Sequence, residues 1–488
     1  MSEKDLSQIS IDPEKVVDSS RSDSGSPPPT DPALEKVWRK IDLWVLPVVA
    51  MFYLLSFLDR TNLGNARVAG LQKDLNMTNK QYSIALTVTY VPYIVAELPS
   101  NLLLKIVGPN YMLPTMLTLW GVVTTLQGIV KNYEGLLACR FFLGLLEGGV
   151  FPGLVLYLSC FYPRQKLQWR ISGFFSTASI SGAFSGLLAY GIIRMDGVGH
   201  RPGWAWIFIL EGIFTVAFGV VSFFLLPRGP ETARFLSHRE REYVVQQLRE
   251  TGATGHDDSD KFSWYQVRQA FTLPQVWMLA VIFFFDGALV YGLAYFTPSI
   301  IQSLGYTAAR AQLFSVPPFA AAFVVTMIAA YISDKYHCRG YVSIFSGILC
   351  ILGFTMYLTA STAQVRYGSL FLSITGAYCS APSLSTWSAN NAAPHARRAA
   401  AIAIGFIMTN VGGILVTWLL GSLSPPPLYT KATITLIIFS VLMVLLTAAN
   451  MYYLWDQNKR KAVIRATMSR SEEKPGLGDR SAWFIYNL

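Results

Sequence analysis

Charge is what this sequence has least of. Only 14% of its 488 residues are Asp, Glu, Lys or Arg, against roughly 25% in an average soluble protein. A soluble chain of this length folds as two or three domains with charged surfaces. This one lacks the charge to cover them, and its 52% hydrophobic content points to a membrane. The net charge of +10 comes from basic residues scattered singly or in pairs, so the clustered footprint of a nucleic-acid binder is missing. Five cysteines, Cys139, Cys160, Cys338, Cys350 and Cys379, show no CxxC or metal-ligand spacing and read as small packed hydrophobes. No G-x-x-x-x-G-K-[ST], HExxH or GxSxG occurs, which removes P-loop ATP hydrolysis, zinc proteolysis and elbow-serine chemistry. No metal, cofactor or enzymatic activity is expected. The first 32 residues carry no apolar core or cleavage site and read as a disordered tail, not a signal peptide.

What is present is a series of long apolar runs. About 20 apolar residues cross a bilayer. Qualifying windows begin near Ile41, Gln81, Tyr111, Leu136, Ile171 and Gly203, ending near Leu226; six more begin near Gln275, Gln312, Tyr341, Tyr367, Ala399 and Lys431, ending near Trp455. The expected fold is an all-α membrane protein, twelve transmembrane helices in two related six-helix halves around a central site. The divisions are a tail over 1–40, a bundle over 41–226, a linker over 227–274, a second bundle over 275–455 and a tail over 456–488. Within the linker, "SHREREYVVQQLRE" reads as an amphipathic surface helix. Gly182 and Gly186 form a GxxxG that lets helices approach closely. With both termini inside, short inner loops carry eight Lys/Arg and outer loops nine, so the short loops do not decide orientation. The segments flanking the first and last helices and the middle loop favour both termini in the cytoplasm. Asn76-Met77-Thr78 is then a glycosylation sequon in an outer loop, close to the bilayer.

The stretch "YLLSFLDRTNLGNA" places an Asp–Arg pair where the first apolar run has met no breaker. Asp59 lies about 24 Å along the helix from Leu43, in the outer half of a roughly 30 Å hydrocarbon core. Charge at such depth costs about 2.5–3.5 kcal/mol per residue. The fourth window carries Arg140 and Glu147, seven residues and about 10 Å apart on one face. Two helices therefore offer acids and bases at overlapping depth. Glu97 and Glu211, placed near helix ends, read equally well as ties between helices, and Asp286 is a further buried charge. Four ions converging on one depth suit a polar cavity better than mere adhesion: an arginine fork for a carboxylate, and carboxyls that change protonation beside it. What remains is a secondary transporter driven by an ion gradient.

The sequence resembles the major facilitator superfamily, and within it the anion:cation symporter family of fungal allantoate, nicotinate and pantothenate permeases. The resemblance rests on the order of "FLDRTNLGNARVAGL" (57–71), "VAELPSNLLLK" (95–105), "RFFLGLLEGGVFPGLVLYLSCFYPRQKLQWR" (140–170), "WIFILEGIFT" (206–215), "LPRGPETARFLSHRERE" (226–242), "LGYTAARAQLFSVPPFA" (304–320), "SANNAAPHARRA" (388–399) and "TNVGG" (409–413). It implies alternating access and proton-coupled uptake of a small organic anion at the plasma membrane by a monomer, with Arg60 and Arg140 binding substrate and Asp59 and Glu147 exchanging the proton. It also implies a substrate role for Asn410, and gating by Asp334 and Arg339 in "DKYHCRG" (334–340). The usual loop motif between helices two and three is reduced here to "PSNLLLKIVGPNY". Asp286 departs from the family pattern and marks a cationic or hydroxylated feature of the substrate or a local pair, and Tyr291 and Tyr295 beyond it stack on a planar ligand or pack in the core. The alternative mechanism on the same fold is proton-antiport efflux of a secondary metabolite.

Overall fold

The computed structural model describes residues 32–163, 170, 171, 173, 174, 177–250, 264–336, 338–468, 473 and 477–488; of the tail expected over 1–40, residues 1–31 lie outside them, and 32–40 are helical. Among the described residues no strand occurs and twelve long helices do: α1 (Pro32–Val68), α2 (Asn79–Val107), α3 (Pro109–Gln127), α4 in two parts (Tyr133–Glu147 and Val150–Ser159), α5 (Thr177–Ile192), α6 (Gly203–Leu225), α7 (Pro274–Ser303), α8 (Ala308–Tyr336), α9 (Arg339–Thr359), α10 (Ala363–Asn390), α11 (His395–Trp418) and α12 (Thr430–Thr467). Eight of them are long and apolar enough to cross a membrane by length and composition alone. Of the rest, α2 and α4 carry charge and α10 is rich in Ser, most of its residues from Ser369 to Ser388 being buried. Hydropathy undercounts α10 because its hydroxyls point into the bundle, and α4 because each of its two parts is too short to span alone.

Local chemistry sets the helix ends. Thr78 caps α2 reciprocally: the Gln81 N–H donates to the Thr78 hydroxyl (3.2 Å) and the Thr78 N–H to the Gln81 side chain (2.9 Å). That bond occupies the hydroxyl of the sequon, while Asn76 itself is exposed. Gly108, at φ 92°, joins α2 directly to Pro109 at the start of α3; a side chain would be strained in that left-handed conformation.

Packing reveals the two halves. In the first, α1 packs on α5, α2 on α4 and α3 on α6; in the second, α7 packs on α11, α8 on α10 and α9 on α12. The scheme repeats with an offset of six helices, as internal duplication requires. Between halves, α1 meets α7, α2 meets α11 and α5 meets α8. The GxxxG pair lies in the last of these seams. A Cβ at Gly182 would strike the Phe319 ring, and one at Gly186 the Gln312 carbonyl.

The seams are hydrogen-bonded toward the end of the bundle away from the termini. Asn65 donates to Ser185 (2.5 Å) and accepts at its carbonyl from Gln312 (3.3 Å). Tyr90 meets the Tyr295 hydroxyl (3.2 Å), and Trp418 donates to Thr87 (3.0 Å). Toward the termini the seam is aromatic instead, with Phe151 against Phe406 at a centroid distance of 4.5 Å, and Phe283 beyond. A chamber lies between these layers.

Two features extend beyond the spans. The linker stretch forms a helix, His238–Glu250, tied to α1 by Lys40–Glu240 at 3.0 Å. The stretch read as a tail, 456–488, is structured in part: α12 continues to Thr467, and residues 477–488 fold back on the second half. There Asp479 pairs with Arg397, and Asn487 accepts at its carbonyl from Trp387 (2.9 Å).

Candidate functional site

The chamber is a cavity of about 50 Å³, space for a few waters. It is lined from both halves, by Ser56, Arg60, Tyr93 and Glu147 on one side and Asp286, Tyr291 and Asn410 on the other. Arg60 organises it. One guanidinium nitrogen donates to Glu147 at 2.5 Å and another to the Tyr291 hydroxyl at 2.8 Å. The rings of Phe57, Tyr93 and Tyr291 surround the cation, 5.1, 5.3 and 5.5 Å from its central carbon. Tyr291 in turn donates to Asn410 at 3.4 Å, so the charge pair of one half is wired to α7 and α11 of the other. Ser56, one turn before Arg60, donates to the Glu147 oxygen that Arg60 holds (2.5 Å), while the other Glu147 oxygen has no hydrogen-bond partner among the described residues.

The four ions expected in one hollow are divided between two places. Asp59 and Arg140 do not line the cavity. Successive residues on a helix point about 100° apart, so when Arg60 faces the cavity Asp59 turns into its own half. There it accepts from the Trp120 indole (2.8 Å) and the Thr124 hydroxyl (3.2 Å) on α3. Arg140 sits about 10 Å along α4 from Glu147, over the Phe208 ring of α6 at 5.9 Å. Asp59, Arg140 and Glu211 act on one another through space. No described residue hydrogen-bonds one Asp59 oxygen, the Arg140 Nε and one terminal nitrogen, or one Glu211 oxygen. Glu211, expected near a helix end, is 8% exposed and lies within α6. Glu97 lies within α2, one turn from Tyr93, with one oxygen unpartnered.

The remaining candidates are dispersed. Arg339 is buried at the start of α9 and donates to Ser333 (3.0 Å); the Asp334 side chain lies outside the described residues. The sequence reading missed Ser56, Tyr93 and the aromatic layer of Phe151, Phe283 and Phe406. Ser56 had a signal, its i, i+4 spacing to Arg60. The others did not, because an aromatic ring at helical spacing looks the same whether it faces lipid, core or cavity.

Comparison with known proteins matches this architecture. The family model for the Major Facilitator Superfamily matches residues 49–417. An uncharacterized transporter of Schizosaccharomyces pombe is 35% identical over 92% of this chain and 89% of its own length. A high-affinity nicotinic acid transporter of Saccharomyces cerevisiae is 31% identical over 97% of this chain and 88% of its own. The crystal structure of a D-xylose–proton symporter shares the fold, with a TM-score of 0.65 at 15% identity over 84% of this chain and 97% of that one. This protein is a multi-pass membrane transporter of the Major Facilitator Superfamily.

Proposed function

We propose that the protein takes up a small organic anion together with protons, by alternating access around the central cavity. One observation carries this reading: Arg60 is held by Glu147 inside a chamber to which both halves contribute. A carboxylate entering the chamber competes with Glu147 for the same guanidinium. A proton on Glu147 removes its negative charge, loosens its hold, and leaves Arg60 free for the solute. Proton and anion therefore favour each other's binding, a positive coupling between two ligands. That sign is the one symport needs. In an antiporter the proton and the solute would displace one another, so the efflux alternative is the weaker reading. Tyr291 and Asn410 orient the bound carboxylate. Asp59, faced by Arg140 and Glu211, is a second proton acceptor behind the site. The relative named for nicotinic acid, itself a carboxylic acid, supports this substrate class. The same reading puts the protein in the plasma membrane with both termini cytoplasmic, and gives Asp334 and Arg339 a gating role.

The test is uptake of labelled carboxylates in cells lacking their own permeases. Glu147→Gln, fixed in the neutral form, is expected to keep counterflow while losing uphill accumulation driven by a pH gradient. Equal loss of both modes would reject the coupling role of Glu147.

A further inference from the structure

Asp286 is the acid that this mechanism leaves unused. It lies within α7, is 2% exposed, and lines the cavity wall contributed by the second half, whereas Arg60 belongs to the first. Its one hydrogen-bond donor among the described residues is the Ser380 hydroxyl of α10. Ser380 also lies 2.9 Å from the Ala377 carbonyl, and a hydroxyl has a single proton to give. Whenever that proton turns to Ala377, the carboxylate is left without a donor.

No described cation pairs with Asp286, and Arg60 is already engaged by Glu147 and Tyr291. Its electrostatic neighbours Cys350, Cys379 and Tyr291 bring no positive charge to it. A carboxylate removed from water without a counter-charge is strongly disfavoured. As a tie between helices, Asp286 gains no more than a serine hydroxyl there could supply. As part of the cavity it has a clear complement. The chamber then presents a positive group on one half, a negative group on the other, and the rings of Phe57, Tyr93, Phe283 and Phe406 around them.

We propose that Asp286 is a specificity-determining residue that receives a protonated nitrogen of the solute, so that the transported molecule is a compact zwitterion. Its carboxylate meets Arg60, its cationic nitrogen meets Asp286, and a flat apolar body fits between the rings. Such a solute touches both halves at once and favours their closure around it. A plain carboxylate lacks this contact and is repelled by Asp286. The inference rests on the reading above that Arg60 binds a carboxylate, and adds to that carboxylate a cationic nitrogen, so that the solute is net neutral.

The experiment is pH-gradient-driven uptake into proteoliposomes with two matched pairs of probes, benzoate with 4-(aminomethyl)benzoate and pentanoate with 5-aminopentanoate. The wild type is expected to prefer the ammonium-bearing member of a pair. Asp286→Asn is expected to lower kcat/KM for that member by about ten- to a hundred-fold, the worth of one charged hydrogen bond, and to raise it for the plain acid, inverting the preference. Asp286→Glu keeps the charge and is expected to keep the order of preference, which separates loss of recognition from loss of folding. Equal decline for both members in Asp286→Asn, or an Asp286→Glu that also loses the preference, overturns the proposal. If the wild type takes up both members equally and Asp286→Asn changes neither, the zwitterion assignment fails while the organic-anion reading stands. If Arg60→Ala leaves carboxylate uptake unchanged, the organic-anion reading fails first and this one with it.

Discussion

The two halves share a packing scheme but not a polar vocabulary. Within the spans of the first half, Asp59, Arg60, Arg140, Glu147 and Glu211 are all buried; in the second, Arg339 and Arg397 are buried at helix starts and Lys461 near the end of α12, and Asp286 is the buried charge away from the helix ends among the described residues. The second half buries hydroxyls instead, and many satisfy themselves on their own helix. Ser373 donates to the Ser369 carbonyl at 3.0 Å, Ser385 to that of Ala381 at 2.8 Å and Thr409 to that of Gly405 at 3.1 Å. Such residues make little demand on their neighbours. The charges of the first half depend on partners brought from other helices: Asp59 on Trp120 of α3, Glu147 on Arg60 and Ser56 of α1. One half therefore holds chemistry that fails when a partner is removed, and the other offers the cavity a tolerant wall in which a single charge stands out.

The strongest way to break this contrast is Arg140→Ala. It removes the cation that acts through space on the buried carboxyls of Asp59 and Glu211, and buried charge without its counter-charge is destabilising. Thermal unfolding of the purified protein in detergent should shift down sharply, and uptake should disappear with it. Neutralising the acids as well, in Arg140→Gln/Asp59→Asn/Glu211→Gln, should restore most of the stability but not the uptake. Ser373→Ala in the second half is the matched control, expected to cost under about 1 kcal/mol because only a bond to its own helix is lost. Comparable destabilisation by the two single substitutions would erase the distinction between the halves.

Much of the fold was legible in the sequence. Run length and spacing gave twelve windows, and the polar interval after Leu226 gave the division into six and six. Depth along a helix was legible too, because rise per residue is constant; this is why Arg60 and Glu147 were found. Direction around the helix was not. Asp59 and Arg60 are adjacent in sequence, yet only a neighbouring helix decides which of them faces the cavity, and Trp120 in "LTLWGVV" gives no sign that its indole waits for a carboxylate. The aromatic layer was illegible for a related reason. Phe151 and Phe406 are 255 positions apart, and their contact exists only once the halves have assembled. The fold-back of residues 477–488 was missed because the apolar run in "SAWFIYNL" is too short to show a period or to span a membrane.

A gentler perturbation sharpens the contrast at the seam between halves. Tyr291→Phe removes the hydroxyl that receives the Arg60 donor and passes a hydrogen bond to Asn410, while keeping the ring that faces the guanidinium. A bond to a charged group is worth about 1.5–3 kcal/mol, or roughly tenfold or more in affinity. The expected outcome is a raised KM for uptake, with protein yield and thermal stability close to wild type, as suits a residue of the tolerant wall. A loss of stability as large as that of Arg140→Ala would mean that the hydroxyl holds the halves together rather than orienting the solute.

The smallest effect is expected where charges pair in water. Lys40–Glu240 has much the same composition as Arg60–Glu147, but its side chains are 40% and 22% exposed against 9% and 1%. Exposed pairs contribute about 0.2–1 kcal/mol, so Lys40→Ala should leave uptake and thermal stability nearly unchanged. Its signature should be local, as faster amide exchange in His238–Glu250, the helix this pair fastens to α1. Partial burial pushes the Glu240 carboxyl up, but the Ser237 N–H and the Lys40 ammonium outweigh it and hold the group below its ordinary value. A lowered value in the folded state means that the stabilisation is present above the unfolded value of ~4.3 and is lost as pH falls through the folded one. The exchange difference between wild type and Lys40→Ala should therefore be visible at neutral pH, shrink in high salt, and vanish in acid. A difference that persists at pH 2 would show that the lysine stem matters more than its charge.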